Sequence, residues 1–261
     1  MWDGQVVSVI LPTYNEKDSI RACIQAFLAT GYVDEVLVVN NNAAPGTSEE
    51  VAGTGAVEVF EQRQGYGWAC RRGLAEAKGD LLLICEPDDT FDPRDTTKLL
   101  AYSDDFPYVL GTRTTREFIW DGANMGRFLR WGNWAVAKQV EFLFNTPTLT
   151  DVGCTFRLLH RETYLRVREA FAVGDSHFGP HLTLLVILAG IPFTEISVNY
   201  RARMGESMVT GSFPKAVRLG LRMIGMVTST RLGSWGGRID RTRLIPYPEP
   251  IPPERAAQRL V

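Results

Sequence analysis

Asp80-Leu81-Leu82-Leu83-Ile84-Cys85-Glu86-Pro87-Asp88-Asp89 is an apolar run that stops on a cluster of carboxylates. Leu81 to Cys85 carry no polar side chain, which describes a strand buried on both faces, because a solvated face would alternate. Ligands of parallel sheets gather at the carboxyl ends of the strands. There, acidic side chains two apart can point into one cleft and hold a hard divalent cation, Mg2+ or Mn2+. Such a cation neutralises a diphosphate leaving group. The plainer reading of the same residues is an acidic turn capping the helix after Pro93.

Upstream, three more strands alternate with helices. Val6 to Leu11 runs into Pro12-Thr13-Tyr14-Asn15-Glu16, and Ile20, Cys23, Ile24, Phe27 and Leu28 then recur at helical spacing behind Asp18 or Ser19 as cap. Glu35 to Val39 is a second strand before the polar loop from Asn40 to Thr47, with a short helix expected over 48–53. Ala56 to Phe60 is a third, and Gly65-Tyr66-Gly67 opens a helix from Trp68 to Ala77. Four strands separated by helices imply right-handed crossovers and a mostly parallel, Rossmann-like α/β sheet flanked by helices.

Downstream the spacing predicts a strand over 108–111, a long helix over 127–144, a strand ending near Leu159, a helix over 181–188 and a strand over 195–200. An amphipathic helix is expected from Ser212-Phe213-Pro214 to about Thr228. Pro246, Pro248, Pro250, Pro252 and Pro253 then describe an irregular tail or strap over 233–261.

With 45% apolar and 22% charged residues, the 261-residue chain can bury one large core. A net charge of -2 gives no reason to expect nucleic acid as a partner. Cys23, Cys70, Cys85 and Cys154 form no CxxC pair, against a zinc site or disulfide framework. The amino-terminal residues lack the pattern of a secretory signal, and no apolar stretch approaches the ~18 residues of a spanning helix. The expected location is the cytoplasm, or the cytoplasmic face of a membrane as a peripheral protein.

Taken in order, Pro12-Thr13-Tyr14-Asn15-Glu16, Gly46-Thr47, Gly65-x-Gly67, Glu86-Pro87-Asp88 and Asp92-Pro93 resemble glycosyltransferase family 2, over roughly Val6 to Ser207. The resemblance implies the GT-A fold and a metal-dependent transferase. Its nucleotide-sugar-binding half would be 1–105 and its acceptor-binding half 106–232. It assigns Pro12, Tyr14, Glu16, Asn40, Asn41, Gly65, Gly67, Glu86 and Asp88 to the donor, and Glu86 and Asp88 to the metal. Asn40 and Asn41 stand where the family usually has aspartates, Arg63 replaces an Asn, and Glu86 replaces an Asp. A helix-opening turn accounts for Gly65 and Gly67 equally well. Asp151-Val152-Gly153-Cys154-Thr155-Phe156-Arg157 resembles the acceptor loop of polyprenyl-phosphate sugar transferases. Glu195 to Tyr200 with Arg203-x-Gly205-Glu206-Ser207 is similar to the dolichol-phosphate mannosyltransferase group, and places Arg203 near the donor phosphates.

A hydroxyl acceptor needs a general base, whereas a phosphate is already ionised at neutral pH. Residues 174–181 hold no Glu-Asp pair where family members with a base usually carry one, although Asp175, His177 and His181 remain alternatives. The expected reaction is therefore inverting transfer of a hexose from a UDP- or GDP-sugar to a phosphate-bearing acceptor, a polyprenyl phosphate. Asp88, Arg203 and Arg127 would carry it, and Arg113, Arg127, Arg130 and Asp151 would hold the acceptor. Arg127, Arg130, Trp134 and Lys138 share one helix face, and Lys215, Arg218 and Arg222 another. Basic faces beside apolar ones suit an anionic membrane surface, or the solvated side of an ordinary surface helix. The rival readings are a transferase using a small phosphorylated or hydroxyl acceptor, and a sugar-nucleotide-binding protein without turnover.

Overall fold

The computed structural model describes residues 1–123, 126–204, 213–233 and 239–248, and of Arg127 the backbone alone. β1 (Val7–Thr13), β2 (Glu35–Asn40), β3 (Val57–Phe60) and β4 (Leu81–Ile84) pair in parallel in the order β3-β2-β1-β4. The sheet continues through β6 (Arg157–His160), β5 (Tyr108–Thr112) and β7 (Phe193–Ser197). β6 is antiparallel to both its neighbours, and β7 returns parallel to β5. Residues before and after 105 thus share one sheet.

The pleat divides the apolar runs between two cores, as strands buried on both faces require. Val9, Leu11, Val36, Val38 and Leu83 pack against α1 (Lys17–Leu28), α2 (Thr47–Val51) and α4 (Thr96–Ser103). Ile10, Val39, Leu82 and Ile84 face α3 (Tyr66–Glu76), α6 (Arg161–Val167) and α7 (Phe178–Leu188). The second core extends to α5 (Arg127–Phe144) and α8 (Phe213–Leu232) through Val136, Val140, Met223 and Val227.

The α/β sheet and the bounds of α5 follow the sequence expectation. β7 starts two residues before the expected 195–200 and ends three before it, because its pairing with β5 runs from Tyr108–Phe193 to Thr112–Ser197. α7 opens three residues before His181, with Pro180 in its first turn, where no amide hydrogen is needed. Of the stretch read as a tail or a strap, residues 239–248 lie against α6 and the end of α7. The Ile245 amide donates to the Arg166 carbonyl at 3.0 Å, and that of Tyr247 to Ala189 at 2.8 Å. Ser212, Pro250, Pro252 and Pro253 lie outside the described residues. No helix among the described residues is long and apolar enough to cross a membrane.

Candidate active site

The loops after β1 and β4 meet at the carboxyl edge of the sheet. Glu16 Oε2 accepts the backbone N–H groups of Tyr14 and Asn15 at 2.7 and 2.9 Å, which folds the β1 loop back on itself. Ser19 Oγ, in the first turn of α1, donates to the Pro87 carbonyl at 2.5 Å and ties the two loops together. Asp88 is 1% exposed. Its Oδ1 accepts the amide and hydroxyl of Thr90 at 3.1 and 2.5 Å, and among the described residues its Oδ2 accepts no hydrogen bond.

Arg203 reaches this corner from far along the chain. The Arg201 amide donates to the Thr90 carbonyl at 2.7 Å and that of Met204 to Asp88 at 3.0 Å, so residues 200–204 lie against 88–91. The guanidinium then stands among three carboxylates. Nη1 is 3.0 Å from Asp88 Oδ2 and 3.7 Å from Glu86 Oε2, and Nη2 is 3.3 Å from Glu16 Oε1. Burial works against the Arg203 charge, but the carboxylates outweigh it and raise its pKa. Burial, then the neighbouring Asp88, push the Glu86 carboxyl up to about 8 against the pull of Arg203. A buried oxygen without a hydrogen bond beside a second carboxylate fits an ion that takes one or two protein carboxylates and keeps its other positions for water and phosphate oxygens. Among the described residues no group of three His, Cys, Asp or Glu converges as a fuller cage.

Over this corner opens a cavity of about 630 Å3. Pro12, Tyr14, Glu16, Asn41 and Gly65 line it together with Glu86, Arg113 and Arg203 and with residues of α5 and α8. Asp88 lies beneath that lining. Arg113 is held bidentate by Asp151, Nε at 2.7 Å from Oδ2 and Nη2 at 2.9 Å from Oδ1. Asp151 is fully buried and so positions Arg113. Burial opposes the Arg113 charge, but Asp151 more than offsets it and raises its pKa well above the usual value. The loop is fixed in turn by Glu195, whose carboxylate accepts the Thr150 and Asp151 amides at 2.7 and 2.8 Å. The sequence places Glu195 and Tyr200 in one motif and Tyr66 in the glycine turn without giving any of them a role; Tyr66 and Tyr200 line the cavity, and the Tyr200 ring lies 5.3 Å from the Arg113 guanidinium carbon.

The other expected site residues divide. Asn40 is absent from the cavity lining. Its Oδ1 accepts the Ala43 amide at 2.8 Å and its Nδ2 donates to Glu58 at 2.9 Å. Asn41 lines the cavity while pinning the glycine turn: Nδ2 donates to the Glu61 and Arg63 carbonyls, both at 2.8 Å, and Oδ1 accepts the Gly65 amide at 2.8 Å. An aspartate could not donate to those carbonyls, which gives the amide a reason at this position. At Gly65, with φ of 144°, a Cβ would stand 2.4 Å from the Gly174 carbonyl oxygen. At Gly67, outside the lining, it would stand 2.7 Å from the Gly174 carbonyl carbon and 2.9 Å from Phe178 Cβ. Close packing therefore requires both glycines.

Arg130 is half-buried and lines no part of the cavity. The Arg127 side chain and Gly205-Glu206-Ser207 lie outside the described residues. Asp175, His177 and His181, the alternative bases, line a separate cavity of about 450 Å3 that also includes Arg222. Ser176 and Pro180 of the same segment face the main cleft instead.

The sequence profile of glycosyl transferase family 2 matches residues 8–167 of the chain. The chain belongs to this family. An uncharacterized glycosyltransferase of Mycobacterium tuberculosis is 32% identical over 212 residues, covering 80% of this chain and 92% of that protein. A dolichyl-phosphate hexose transferase of Haloferax volcanii is 25% identical, covering 87% of this chain and 96% of the relative. Among solved structures, the glucosyl-3-phosphoglycerate synthase of M. tuberculosis, crystallised with Mn2+, UDP and phosphoglyceric acid, superposes with a TM-score of 0.67. That match has 18% identity and covers 88% of this chain and 79% of the other. The family 2 chain therefore has the GT-A fold and is a transferase.

Proposed function

We propose that this family 2 enzyme transfers a hexose, with inversion, from a UDP- or GDP-linked sugar to a phosphate-bearing acceptor, and that the acceptor is a polyprenyl phosphate used at a membrane surface. One observation carries the reading. A single cavity joins the carboxylate–Arg203 corner and Arg113 to an apolar groove between α5 and α8, so a phosphate and a hydrocarbon chain would fit it together.

The chemistry divides between the two sides of the cleft. Residues 1–105 supply the donor side: the Pro12–Glu16 loop and the Asn41–Gly65 turn border the nucleotide. Asp88, with Glu86, would hold a Mg2+ or Mn2+ ion, which when bound neutralises the diphosphate. Arg203 supplies a fixed positive charge beside the same leaving group, poised before the bond breaks. Residues 106–232 supply the acceptor side. Asp151 engages Arg113 Nε and Nη2 and so holds the guanidinium at the cavity wall, beside Tyr200, where it would meet a phosphate oxygen. That phosphate needs no base, consistent with Asp175, His177 and His181 facing another cavity. Attack on the anomeric carbon from the side opposite the diphosphate inverts its configuration.

The test supplies purified protein, Mn2+ and labelled UDP-glucose, UDP-galactose or GDP-mannose with a prenyl phosphate. The expected product is an organic-extractable sugar phosphate with β configuration from an α donor. Failure to transfer or hydrolyse any sugar nucleotide overturns the reading. A second reading, a small phosphorylated acceptor, is favoured by the structural likeness to an enzyme named for 3-phosphoglycerate. Product in the aqueous phase with 3-phosphoglycerate, and none with prenyl phosphate, would select it.

A further inference from the structure

Two glycines in the α5–α8 groove are not explained by packing. Gly132 lies inside the 18-residue α5 and Gly220 inside the 20-residue α8, where glycine is unfavourable relative to alanine. Small residues between helices usually let backbones approach closely. Here a Cβ built on either glycine, Gly132 exposed and Gly220 half-buried, meets nothing within 4 Å among the described residues, whereas one on Gly73 would stand 2.3 Å from the Ile10 side chain. Both glycines line the main cavity, from opposite helices. The space they leave belongs to the cavity.

Apart from Asn133, the side chains that α5 and α8 give to that space are apolar. Phe128, Leu129 and Val136 border it from α5, and Val217, Leu221 and Ile224 from α8. Leu221 is 64% and Ile224 42% exposed, although both face the groove. At one end the Phe128 and Phe213 rings pack at 4.7 Å between centroids. At the other, Gln139 Nε2 donates to Thr228 Oγ1 at 2.8 Å and closes the gap. The lining runs from Phe128 to Val136 and from Ala216 to Ile224, about 12 Å along each helix at the α-helical rise. An extended hydrocarbon with bonds of about 1.5 Å fills that length with about ten main-chain carbons, which is roughly two to three five-carbon prenyl units.

We infer that Gly132 and Gly220 set the width of a slot that holds the first stretch of the acceptor's hydrocarbon chain, about ten main-chain carbons at the groove's helical rise, and so select acceptors by chain rather than by headgroup alone. This rests on the lipid-phosphate reading of the cleft. It adds a length limit and two specificity-determining positions. The apolar chain is the occupant because the slot is continuous with the Arg113 and Arg203 corner that a phosphate would fill.

The experiment measures acceptor KM, and separately calorimetric binding without donor, for prenyl phosphates of about 5, 10, 15 and 20 carbons with wild type and with Gly132→Leu and Gly220→Leu. Burial of each added methylene predicts that KM falls about tenfold or more from five to ten carbons, and then changes less than about twofold beyond about fifteen, once the slot is full. In the leucine variants the advantage of ten carbons over five should shrink to about twofold, because the leucine side chain takes the chain's place. Gly132→Ala and Gly220→Ala should raise the thermal midpoint and weaken the advantage less. Equal KM and equal binding across all lengths overturn the slot, as does an unchanged length profile in folded leucine variants. Length-dependent binding with no transfer from any sugar nucleotide overturns the catalytic reading and leaves the slot standing. Transfer that ignores chain length does the reverse.

Discussion

Arg203 sets one positive charge against Glu16, Glu86 and Asp88, so the corner keeps an excess of negative charge that a divalent ion would answer. Removing the arginine strands the buried Asp88 carboxylate. Arg203→Ala should cost about 3 kcal/mol in unfolding without metal, the usual result of breaking a buried pair. Mn2+ should then raise the melting temperature of the variant more than that of wild type, and EDTA should reverse the gain. No metal-dependent gain in either protein would remove the ion from the account. Asp88→Asn keeps the bonds to Thr90 but loses the charge, so sugar transfer should fall on the order of a hundredfold or more, while the melting temperature drops less than in Arg203→Ala because Arg203 keeps Glu16 and Glu86. Glu195 supplies a pH signature away from the carboxylate corner. Burial is the main cause that pushes its carboxyl from 4.5 up to about 7, against the hydrogen bonds from Thr150 and Asp151. The folded protein therefore binds this proton more tightly than the unfolded chain. The stabilisation is fully present below pH 4.5 and is lost as pH rises through about 7. Stability from urea unfolding should decline across that window, and Glu195→Gln should flatten the slope. Parallel slopes in the two proteins would assign the decline elsewhere.

The glycine turn before α3 shows what spacing can and cannot tell. Gly65-Tyr66-Gly67 marks a helix start in the sequence, but only the folded chain brings the turn against Gly174, a hundred positions away in order of magnitude. Gly67→Ala would put a methyl against that backbone and Phe178, and should cost about 1–3 kcal/mol, the range for overpacking. Urea unfolding checks it, and a cost below about 0.5 kcal/mol, ordinary for a surface site, would mean that the turn has room. Periodicity revealed α5 to its end residues, and the carboxylate loop after β4 stands out because an apolar run ends on it. The direction of β6 was not legible, since alternation is the same for parallel and antiparallel pairing and only the Leu83–Leu158 and Leu158–Val109 registers decide it. Asn40 and Asn41 look interchangeable in sequence, yet successive residues at a strand end point to opposite sides, so one braces β3 and the other the cleft. The meeting of Arg203 with Asp88 depends on contacts between 88–91 and 200–204, which no local pattern records. Nor does an apolar helix face announce whether it meets core or an open groove; Leu221 and Ile224 fit either.

Across the whole molecule, the two helices that border the groove also carry exposed large apolar and basic side chains. Phe142 is 87% and Trp131 65% exposed on α5, and Phe213 is 65% exposed on α8. Lys215, Arg218 and Arg222 are exposed along the same α8. Aromatic rings of this kind settle at the boundary between headgroups and acyl chains, and each basic residue near an anionic leaflet contributes about 1 kcal/mol. The two effects respond to different changes, which makes the attachment testable. Vesicles containing phosphatidylserine should pellet the protein at low salt, and salt should weaken the binding through screening. The double variant Arg218→Ala/Arg222→Ala should lose about 2 kcal/mol of attraction, about thirtyfold in partitioning, on anionic vesicles and little on neutral ones. Trp131→Ser with Phe142→Ser should weaken binding to both kinds alike. If the protein stays in the supernatant with anionic vesicles even at low salt, the aromatic face does not meet a membrane. A water-soluble phosphorylated acceptor would then be the reading left for the same corner of carboxylates and arginine.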